Sequence, residues 1–512
     1  MTIFNRREKI IQICDIITLW GIFLLFFAIP LETERRWFYY TVLSLPVTAW
    51  FIRILLQSTT RQWKKSVVQY VAALILMAFL VLLFGRKSLP DVFRSFFPEL
   101  GMLSFCVLLI ANREYAFRPS VSHWKLKKAF DFMVLCYGVI VLVSAFLSFF
   151  PEESFPQLRK GFVIYLLVYL CISDNIRSFD TFKKVILAAY LAVLAVSIIV
   201  LVQGVAYPAG SYMVKNWLVR KEAVRPFDPA SLNPLFHVQF PFSHFQRMAL
   251  FLAIGFHLIM LQYFITVKRI SRQWVAATAC LAFAALILTL SRGAFLAVFF
   301  SMILLILLTK WKYLIPLFLV LLILAIIMPA VMRQYYTDVF RVGEYTNPSS
   351  RVGFYLERWS VAGNLIMKYP VFGTGYGSRQ FESVYRLINP MIRFEKKPHA
   401  YSWYLQTASE SGMLGLWSFL LFSAFVLALL HQRWRQQTPA SYYRDINAAL
   451  IALLVVPYLY GLVNFVHIGG LGLLVWLIYG LCTSYMKLTV KFKDIDELRK
   501  EIESQETVFE EI

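Results

Sequence analysis

The sequence predicts an all-α, polytopic integral membrane protein with about 12–14 transmembrane helices and one large helical loop on the outer side. Of its 512 residues, 59% are hydrophobic and 17% are aromatic, and the mean hydropathy is +0.64, well above the apolar share of soluble domains. Apolar runs of about 18 residues or more, long enough to cross a bilayer, recur along the chain. The longest interruption is residues 332–412, which are polar, basic and punctuated by glycine.

Fourteen apolar runs are candidate membrane spans. Two of them, 97–111 and 160–174, are short for a hydrocarbon core about 30 Å thick. Each of these two is therefore tilted, re-entrant, or longer than its apolar run, and the prediction stays at twelve to fourteen spans. The runs are residues 14–30, 37–56, 66–84, 97–111, 129–150, 160–174, 182–207, 247–267, 273–290, 292–309, 312–331, 413–430, 446–462 and 465–486.

Basic residues in the short loops set the expected orientation, because cytoplasmic loops of membrane proteins are enriched in lysine and arginine. With the N-terminus inside, the short inside segments hold 22 lysines and arginines, and the short outside loops hold 7. The sequence therefore predicts that both termini are cytoplasmic. Two longer loops, about 208–246 and 332–412, then face outward.

Charge and cysteine content exclude several classes of function. A net charge of +22 would suggest nucleic acid in a soluble protein. In a membrane protein the positive-inside trend accounts for it, so we expect no nucleic-acid partner.

The six cysteines lie in or beside apolar runs and form no CxxC pair, which argues against structural disulfides and a zinc site. The first apolar run has no small-residue cleavage site before Glu32, so we expect it to remain as a span.

Four regions follow from this pattern. Residues 1–331 hold the first eleven predicted membrane helices, with an outer loop near 208–246. Residues 332–412 form the large outer loop, whose many aromatic residues argue against disorder. Residues 413–486 return to membrane helices. The charged tail, 487–512, is expected in the cytoplasm as a helix without a chemical role.

Three arginines are candidate anion ligands. Arg292 begins an apolar run at its outer end, where an ionisable residue suggests function, although the alternative is that it snorkels to lipid headgroups. Arg351 and Arg358 are seven residues apart and would share one face of a helix. A planar guanidinium suits bidentate binding of phosphate. The alternative is that one of the two pairs with Glu344 or Glu357.

The run Gly373-Thr374-Gly375-Tyr376-Gly377 predicts a turn between two outer helices. It is not a dinucleotide-binding motif, because the required strand and crossover are missing. An alternative is that its backbone N–H groups form a nest for an anion. Arg247, in the earlier outer loop, is a further candidate anion contact.

His399 follows Lys396-Lys397-Pro398 in the large outer loop. A neutral imidazole near pH 7 suits a general base, and neighbouring cations keep it neutral by lowering its pKa. The alternative is a loop histidine without a chemical role. Glu410, eleven residues later, could share a helical face with His399. His237 and His244, in the earlier outer loop, are rival candidates for the base.

The order of these features resembles the O-antigen ligase and polymerase superfamily of bacterial envelope enzymes. The resemblance is specific over about residues 285–430, and the remaining spans match only as a polytopic membrane chain. The ordered features are Ser291-Arg292-Gly293 opening a span, Arg351 with Trp359, Tyr369-Pro370-Val371-Phe372-Gly373-Thr374-Gly375, Pro398-His399, and then Leu405-Gln406, Glu410, Gly412 and Leu414-Gly415.

The resemblance implies a helical membrane bundle whose donor is a glycan on undecaprenyl diphosphate, presented on the periplasmic face. It also implies that Arg292 and Arg351 bind the diphosphate and that His399 is the catalytic histidine. In the commonest form of the family a His-Asn pair precedes the Leu-Gln. This chain has Tyr401-Ser402 there, with His399 two residues earlier. Tyr401 is therefore a candidate for holding the acceptor.

The sequence thus predicts an inverting glycosyltransferase of the bacterial inner membrane, most similar to O-antigen ligases of lipopolysaccharide biosynthesis. Its expected partners are the undecaprenyl-diphosphate glycan, a lipid A–core acceptor and membrane lipids. A polymerase, which extends a growing glycan, is the first alternative. A transporter or flippase of lipid-linked saccharides is the second, but it would place charge at the midplane of several spans. Arginines can stabilise a diphosphate leaving group without a metal, so we expect no metal and no cofactor.

The predicted orientation can be tested with single cysteines labelled from outside, in a background without the six native cysteines. We expect labelling at position 390, in the large outer loop, and none at position 440, because the basic residues favour a cytoplasmic loop there. Labelling at 440 but not at 390 would overturn the orientation.

Overall fold

The structure is a computed structural model. It describes residues 2–31, 36–57, 121–206, 241–242, 244–266, 268–309, 351–388, 399–438, 441–466 and 469–491, and a few residues between 315 and 323. The predicted spans 66–84 and 97–111, nearly all of 312–331, and the tail beyond 491 lie outside these ranges.

The described residues form an all-α membrane bundle, which confirms the predicted fold class. They contain eight helices that are long and apolar enough to cross a membrane, and three shorter apolar helices. Each of the eleven predicted spans that falls within the described ranges corresponds to one of these helices. No β-strand occurs in the described ranges.

The helices are numbered in chain order. In the first part of the chain they are α1 (Thr2–Ala28), α2 (Arg36–Gln57), α3 (Val121–Phe146), α4 (Pro151–Leu158), α5 (Ile164–Asn175), α6 (Phe179–Ala206), α7 (Phe245–Ile265), α8 (Arg269–Leu288) and α9 (Arg292–Leu308). After the next undescribed segment they are α10 (Arg351–Lys368), α11 (Ser378–Ile388), α12 (Trp403–Gln436), α13 (Tyr442–Gly461) and α14 (Gly469–Lys491).

Helices α7 and α14 form the centre of the bundle, because almost every residue of their apolar windows is buried. Small residues let the helices approach closely, as is usual in membrane bundles. A Cβ atom on Gly472 would lie 2.6 Å from the ring of Tyr165, and one on Gly480 would lie 3.0 Å from Ile172. These two glycines therefore seat α14 against α5.

The short sixth span predicted at 160–174 is longer than its apolar run. A π-helical turn, Arg159–Val163, connects α4 to α5, so that helical structure continues over the 25 residues Pro151–Asn175. The polar sequence of α4 concealed this continuation, because Glu152 and Glu153 precede the apolar run. The span therefore has the length that a bilayer requires.

Helix α12 is broken at Gly412, where φ is 72° and ψ is −179°. Only glycine adopts this conformation readily. At the break, the backbone N–H of Met413 donates to the carbonyl of Pro370 at 2.7 Å, a bond to another segment rather than within the helix. The break separates Trp403–Ser411 from the apolar remainder of the helix, and it lies at the residue where the sequence predicted the outer loop to end.

Helices α10 and α11, called the outer helices after the predicted side of their loop, pack on each other through a small apolar cluster. Both have one apolar face, as expected of helices that cover a bundle rather than cross a membrane. The cluster contains Val361, Ala362, Leu365, Phe381, Tyr385 and Ala400. Ala400 belongs to the segment that precedes α12, so the cluster also fixes the position of that segment.

Replacing Gly412 by alanine should destabilise the protein. The new Cβ atom would lie 2.0 Å from the carbonyl oxygen of Val371 and would have to adopt a positive φ. We expect Gly412→Ala to lower the midpoint of thermal unfolding in detergent by several degrees. Gly363→Ala is the matched control, since nothing lies within 4 Å of its added methyl group and alanine is favoured inside a helix. Equal midpoints for the two variants would contradict the role of Gly412.

Candidate functional site

His399 lies where one end of the membrane bundle meets the outer helices. Its imidazole packs against the ring of Tyr401, with centroids 3.9 Å apart, and lies 6.2 Å from the ring of Phe465. The residues around it come from the beginning of α7, from α10 and from the connection between α13 and α14. Segments far apart in sequence therefore converge on one histidine.

Tyr401 connects His399 to α10. Its backbone φ is 48°, a left-handed conformation that is uncommon for a bulky side chain. The ring contacts Tyr355 edge-on at 5.2 Å and lies 5.7 Å from the guanidinium carbon of Arg358. Backbone strain of this kind concentrates at functional sites, and here it turns the Tyr401 ring between His399 and Arg358.

Arg358 is the buried cation of the site, with only 1% of the residue exposed. Its guanidinium lies over two rings, 5.6 Å from Tyr385 and 5.7 Å from Tyr401. Contacts of this type hold an arginine in place, and its planar guanidinium has a geometry that suits phosphate. Glu357, one of the partners considered from the sequence, accepts a hydrogen bond from the hydroxyl of Tyr385 at 2.8 Å.

The surroundings of His399 keep its imidazole neutral. Burial, together with the electrostatic effects of nearby His244, Arg358 and Arg247, lowers its pKa to about 3. Burial is the main cause, because a charged imidazole loses hydration there. From the sequence, we expected Lys396 and Lys397 to lower the pKa of His399, and both lie outside the described residues. The cations that the structure brings close are arginines of α7 and α10.

The hydrogen bond of His399 determines which ring nitrogen carries the proton. Its Nδ1 atom accepts a bond from the backbone N–H of Tyr401 at 3.3 Å. In the neutral ring, Nε2 is then the protonated nitrogen and can donate. To accept a proton at Nε2 the ring must change tautomer and give up this long bond. The geometry therefore permits two roles, as a donor in the present tautomer and as a base in the other.

Arg292 begins α9 at the same end of the bundle. The preceding Leu290 is buried and has φ of 55°, so the connection from α8 to α9 is strained. Gly293 lets the first turn of α9 approach α13, since a Cβ atom there would lie 2.7 Å from Val463. The hydroxyl of Tyr460 in α13 donates to the carbonyl of Gln246 in α7 at 2.9 Å. The beginnings of α7 and α9 are thus joined through the end of α13.

The remaining candidates are Arg351, His237 and His244. Arg351 begins α10, about 10 Å along the helix axis from Arg358 at 1.5 Å per residue, and its side chain is outside the described set. His237 is also outside it. His244 caps the beginning of α7, where Nδ1 accepts a hydrogen bond from the N–H of Gln246 at 3.2 Å.

Glu410 and Gln406 hold the backbone next to His399. Glu410 is buried; its Oε2 accepts from the N–H of Gly377 at 3.2 Å, and its Oε1 accepts from Nε2 of Gln406. The Oε1 of Gln406 in turn accepts from the N–H of Ala400 at 2.6 Å. The sequence predicted no role for Gln406 beyond its place in a motif, because no sequence pattern shows that an amide will bind a backbone group elsewhere in the fold.

The interpretation that Glu410 shares a helical face with His399 is wrong. Helix α12 begins at Trp403, and His399 precedes it in non-helical backbone. The connection between the two residues runs through Gln406 and Ala400 instead. Glu410 is therefore a positioning residue in this geometry.

The predicted turn at Gly373–Gly377 connects α10 to α11, as expected. The alternative that it forms a nest for an external anion is wrong, because its N–H groups are bound within the protein. Thr374 donates to the carbonyl of Ser409 at 2.9 Å, and Gly375 donates to the carbonyl of Glu410 at 2.9 Å. The turn instead docks the outer helices on the break in α12.

The part of the chain that the structure describes contains no cluster of side chains suited to bind a metal ion. No group of three or more histidine, cysteine, aspartate or glutamate side chains there could hold a metal ion. Arg358 and Arg247, the charged residues that help to lower the pKa of His399, are cations. A reaction at this site that is independent of metal remains a prediction.

Comparison with known proteins identifies the segment that carries most of these residues. A family model described as O-antigen ligase matches residues 277–420. The match extends from the second half of α8 to the first turns of α12 beyond Gly412, and it includes Arg292, Arg358, His399 and Glu410. It confirms the resemblance predicted from the sequence. No curated protein matches the chain.

Removing the amide of Gln406 should weaken the fold around His399. Gln406→Ala would leave the buried Ala400 N–H and a Glu410 oxygen without these partners, at a cost of about 1–3 kcal/mol for each. We expect a lower midpoint of thermal unfolding in detergent. Thr407→Val is the matched control, as the neighbouring buried residue of α12 whose hydroxyl is outside this network. A Gln406→Ala midpoint equal to that of the control would contradict the positioning role.

Proposed function

We propose that the protein transfers a glycan from undecaprenyl diphosphate to an acceptor hydroxyl, because residues 277–420 match a family model described as O-antigen ligase. The proposed acceptor is lipid A–core, and the proposed location is the periplasmic face of the bacterial inner membrane. One observation supports this most strongly. His399 and Arg358 lie together with Arg247 at one end of a membrane bundle, where a lipid-bound diphosphate would be in reach.

Arg292 and Arg351 are the proposed ligands of the diphosphate, with Arg358 as a third. The negative charge on the leaving diphosphate grows as the bond to the sugar breaks, and fixed guanidinium groups stabilise that charge. Arg292 begins a helix at the end of the bundle that carries His399, and Arg351 begins the helix that carries Arg358. Such an arrangement requires no metal in this proposal.

His399 is the proposed general base. The acceptor oxygen attacks the anomeric carbon, its proton passes to His399, and the bond between that carbon and the phosphate oxygen breaks. Undecaprenyl diphosphate leaves, and a single displacement inverts the configuration. A diphosphate near Arg358 and Arg247 would offset their positive charges. Because these charges help to lower the pKa of His399, the bound donor would make the imidazole more basic.

The acceptor distinguishes this proposal from its nearest alternative. A polymerase of the same family would use the same donor chemistry but would extend a growing glycan. Deleting the gene and comparing envelope polysaccharides by gel tests the two. Loss of all capped lipopolysaccharide supports the ligase, and retention of a single repeat unit on the core indicates the polymerase.

A transporter of lipid-linked saccharides is the alternative of a different class. It would be expected to carry charged groups at the midplane of several spans. The strained and cationic residues of the proposed site, Leu290, Tyr401 and Arg358, instead lie at span ends or in the outer loop. Transfer by the purified protein in vesicles that hold donor and acceptor on the same face would favour the enzyme, and translocation without transfer would favour the transporter.

Substituting the two arginines should reduce transfer strongly. A charge-assisted hydrogen bond contributes roughly 1.5–3 kcal/mol, so Arg292→Ala and Arg351→Ala should each cost about tenfold or more in rate. Arg→Lys should restore little, because the planar fork is lost. The measurement is transfer in membranes at matched expression. If both alanine variants kept full activity, the diphosphate assignment would be abandoned.

Substituting His399 should separate its two possible roles. Loss of a general base typically costs about 10²–10⁴-fold in rate, so His399→Ala should nearly stop transfer while expression is kept. His399→Gln retains a donor near the position of Nε2 but cannot take a proton, so we expect it to be as inactive as the alanine variant.

The controls for His399 are the rival residues Tyr401→Phe, His237→Ala and His244→Ala, assayed in the same membranes. Activity close to wild type in His399→Gln would show that His399 acts as a donor. Wild-type activity in His399→Ala, with collapse in one of the three controls, would move the base to that residue and leave the proposed reaction unchanged.

A further inference from the structure

The exposed side of α10 is mixed over its first turns, where Leu356 is 42% exposed beside polar residues, and it ends in an exposed apolar residue. Ser360 and Asn364 are exposed on this side, and the next exposed residue along it is Met367, which is 76% exposed. Val371, in the turn that follows, is 50% exposed. From Ser360 to Met367 the helix rises by about 10 Å. Exposed apolar residues at the end of a helix and in the turn that follows are what a helix shows when that end descends to a lipid surface.

The apolar end of α10 is continuous with the surface of α12 beyond Gly412. The backbone N–H of Leu414 donates to the carbonyl of Val371 at 3.4 Å. From there Leu414, Trp417 and Leu421 are exposed at intervals of three and four residues, which puts them on one side of the helix. In a helix that crosses the membrane, this side faces lipid.

A second lipid-facing helix reaches the same place from the other side. Phe132, Val139 and Phe146 are exposed along α3 at intervals of seven residues. Beyond the end of α3, the ring of Phe149 contacts the ring of Tyr369 at 4.9 Å, and Phe149 is itself exposed. The turn after α10 therefore lies between the ends of two lipid-facing surfaces.

We propose that residues 367–371, together with residues 146–149, form an interfacial anchor that sits in the membrane leaflet on the side of His399. The occupant of this surface is the boundary between acyl chains and headgroups. Its composition fits that boundary, because Met367, Val371 and Phe149 would enter the acyl region. Lys368, whose ammonium lies 5.7 Å from the centre of the Tyr369 ring, would reach the phosphates, and tyrosine is enriched at that depth.

The anchor fixes the depth of α10 against the membrane. Arg358 lies about 13 Å along the helix from Met367, and its backbone is rigidly connected to the anchor by the same helix. The anchor does not depend on the proposed reaction. If that reaction is correct, the anchor also sets the height at which Arg358 and His399 meet a diphosphate that is itself attached to a membrane lipid.

Fluorescence quenching tests the anchor without an activity assay. Single cysteines are introduced as Met367→Cys and Val371→Cys in a background without native cysteines, and they are labelled with a bimane fluorophore in phosphatidylcholine vesicles. Ser360→Cys, on the same side of α10, is the matched control. We expect doxyl-labelled lipids to quench positions 367 and 371 several-fold more than position 360, and aqueous iodide to show the reverse order.

Two results would overturn the anchor. One is quenching of positions 367 and 371 by iodide as strong as that of position 360. The other is protection of both from lipid and iodide alike, which would mean that a second protein chain covers the surface. An independent measurement uses a bimane on position 367 in flotation-purified vesicles. We expect Val371→Asp to increase the access of iodide to this bimane, and Ser360→Asp to leave it unchanged. Equal access in both would also overturn it.

Discussion

The attachment of the outer helices to the break in α12 is the constraint on which the site depends. At Gly412 the helix opens. The segment after α10 accepts a hydrogen bond from α12 at the carbonyl of Pro370, and it donates hydrogen bonds to the carbonyls of Ser409 and Glu410 in α12. This contact requires a residue with positive φ and no side chain at position 412. It determines where α10 lies, and hence where Arg358 meets Tyr401.

The same contact explains why the polar side chains of Glu410 and Gln406 are buried. Each satisfies a backbone group that docking would leave without a partner, at Gly377 and at Ala400. A buried polar network is stable only when its members are satisfied. Here it immobilises the residue next to His399, while burial and the arginines keep the imidazole itself neutral.

The sequence by itself determined the fold class, because a bilayer permits few solutions for a chain with long apolar runs. It also located the loop that carries the site. A cation at the predicted outer end of a span, as at Arg292, and a polar stretch as long as 332–412 are both departures from an otherwise uniform pattern. The ordered motifs then predicted the family that residues 277–420 match. The apolar runs did not predict where every helix begins, as at 151–160, because polar residues can continue a helix beyond its apolar part.

Only the tertiary structure decided which of these residues meet. In the folded chain, Arg358 and Arg247 lie near His399. Glu410 binds Gly377 and Gln406 and does not share a helical face with His399. The N–H groups of the glycine turn are bound within the protein. Spacing along a chain predicts neighbours only within one helix. These contacts join α7, α10 and α12, whose relative positions follow from packing and from a single glycine break, and neither is encoded in any local sequence pattern.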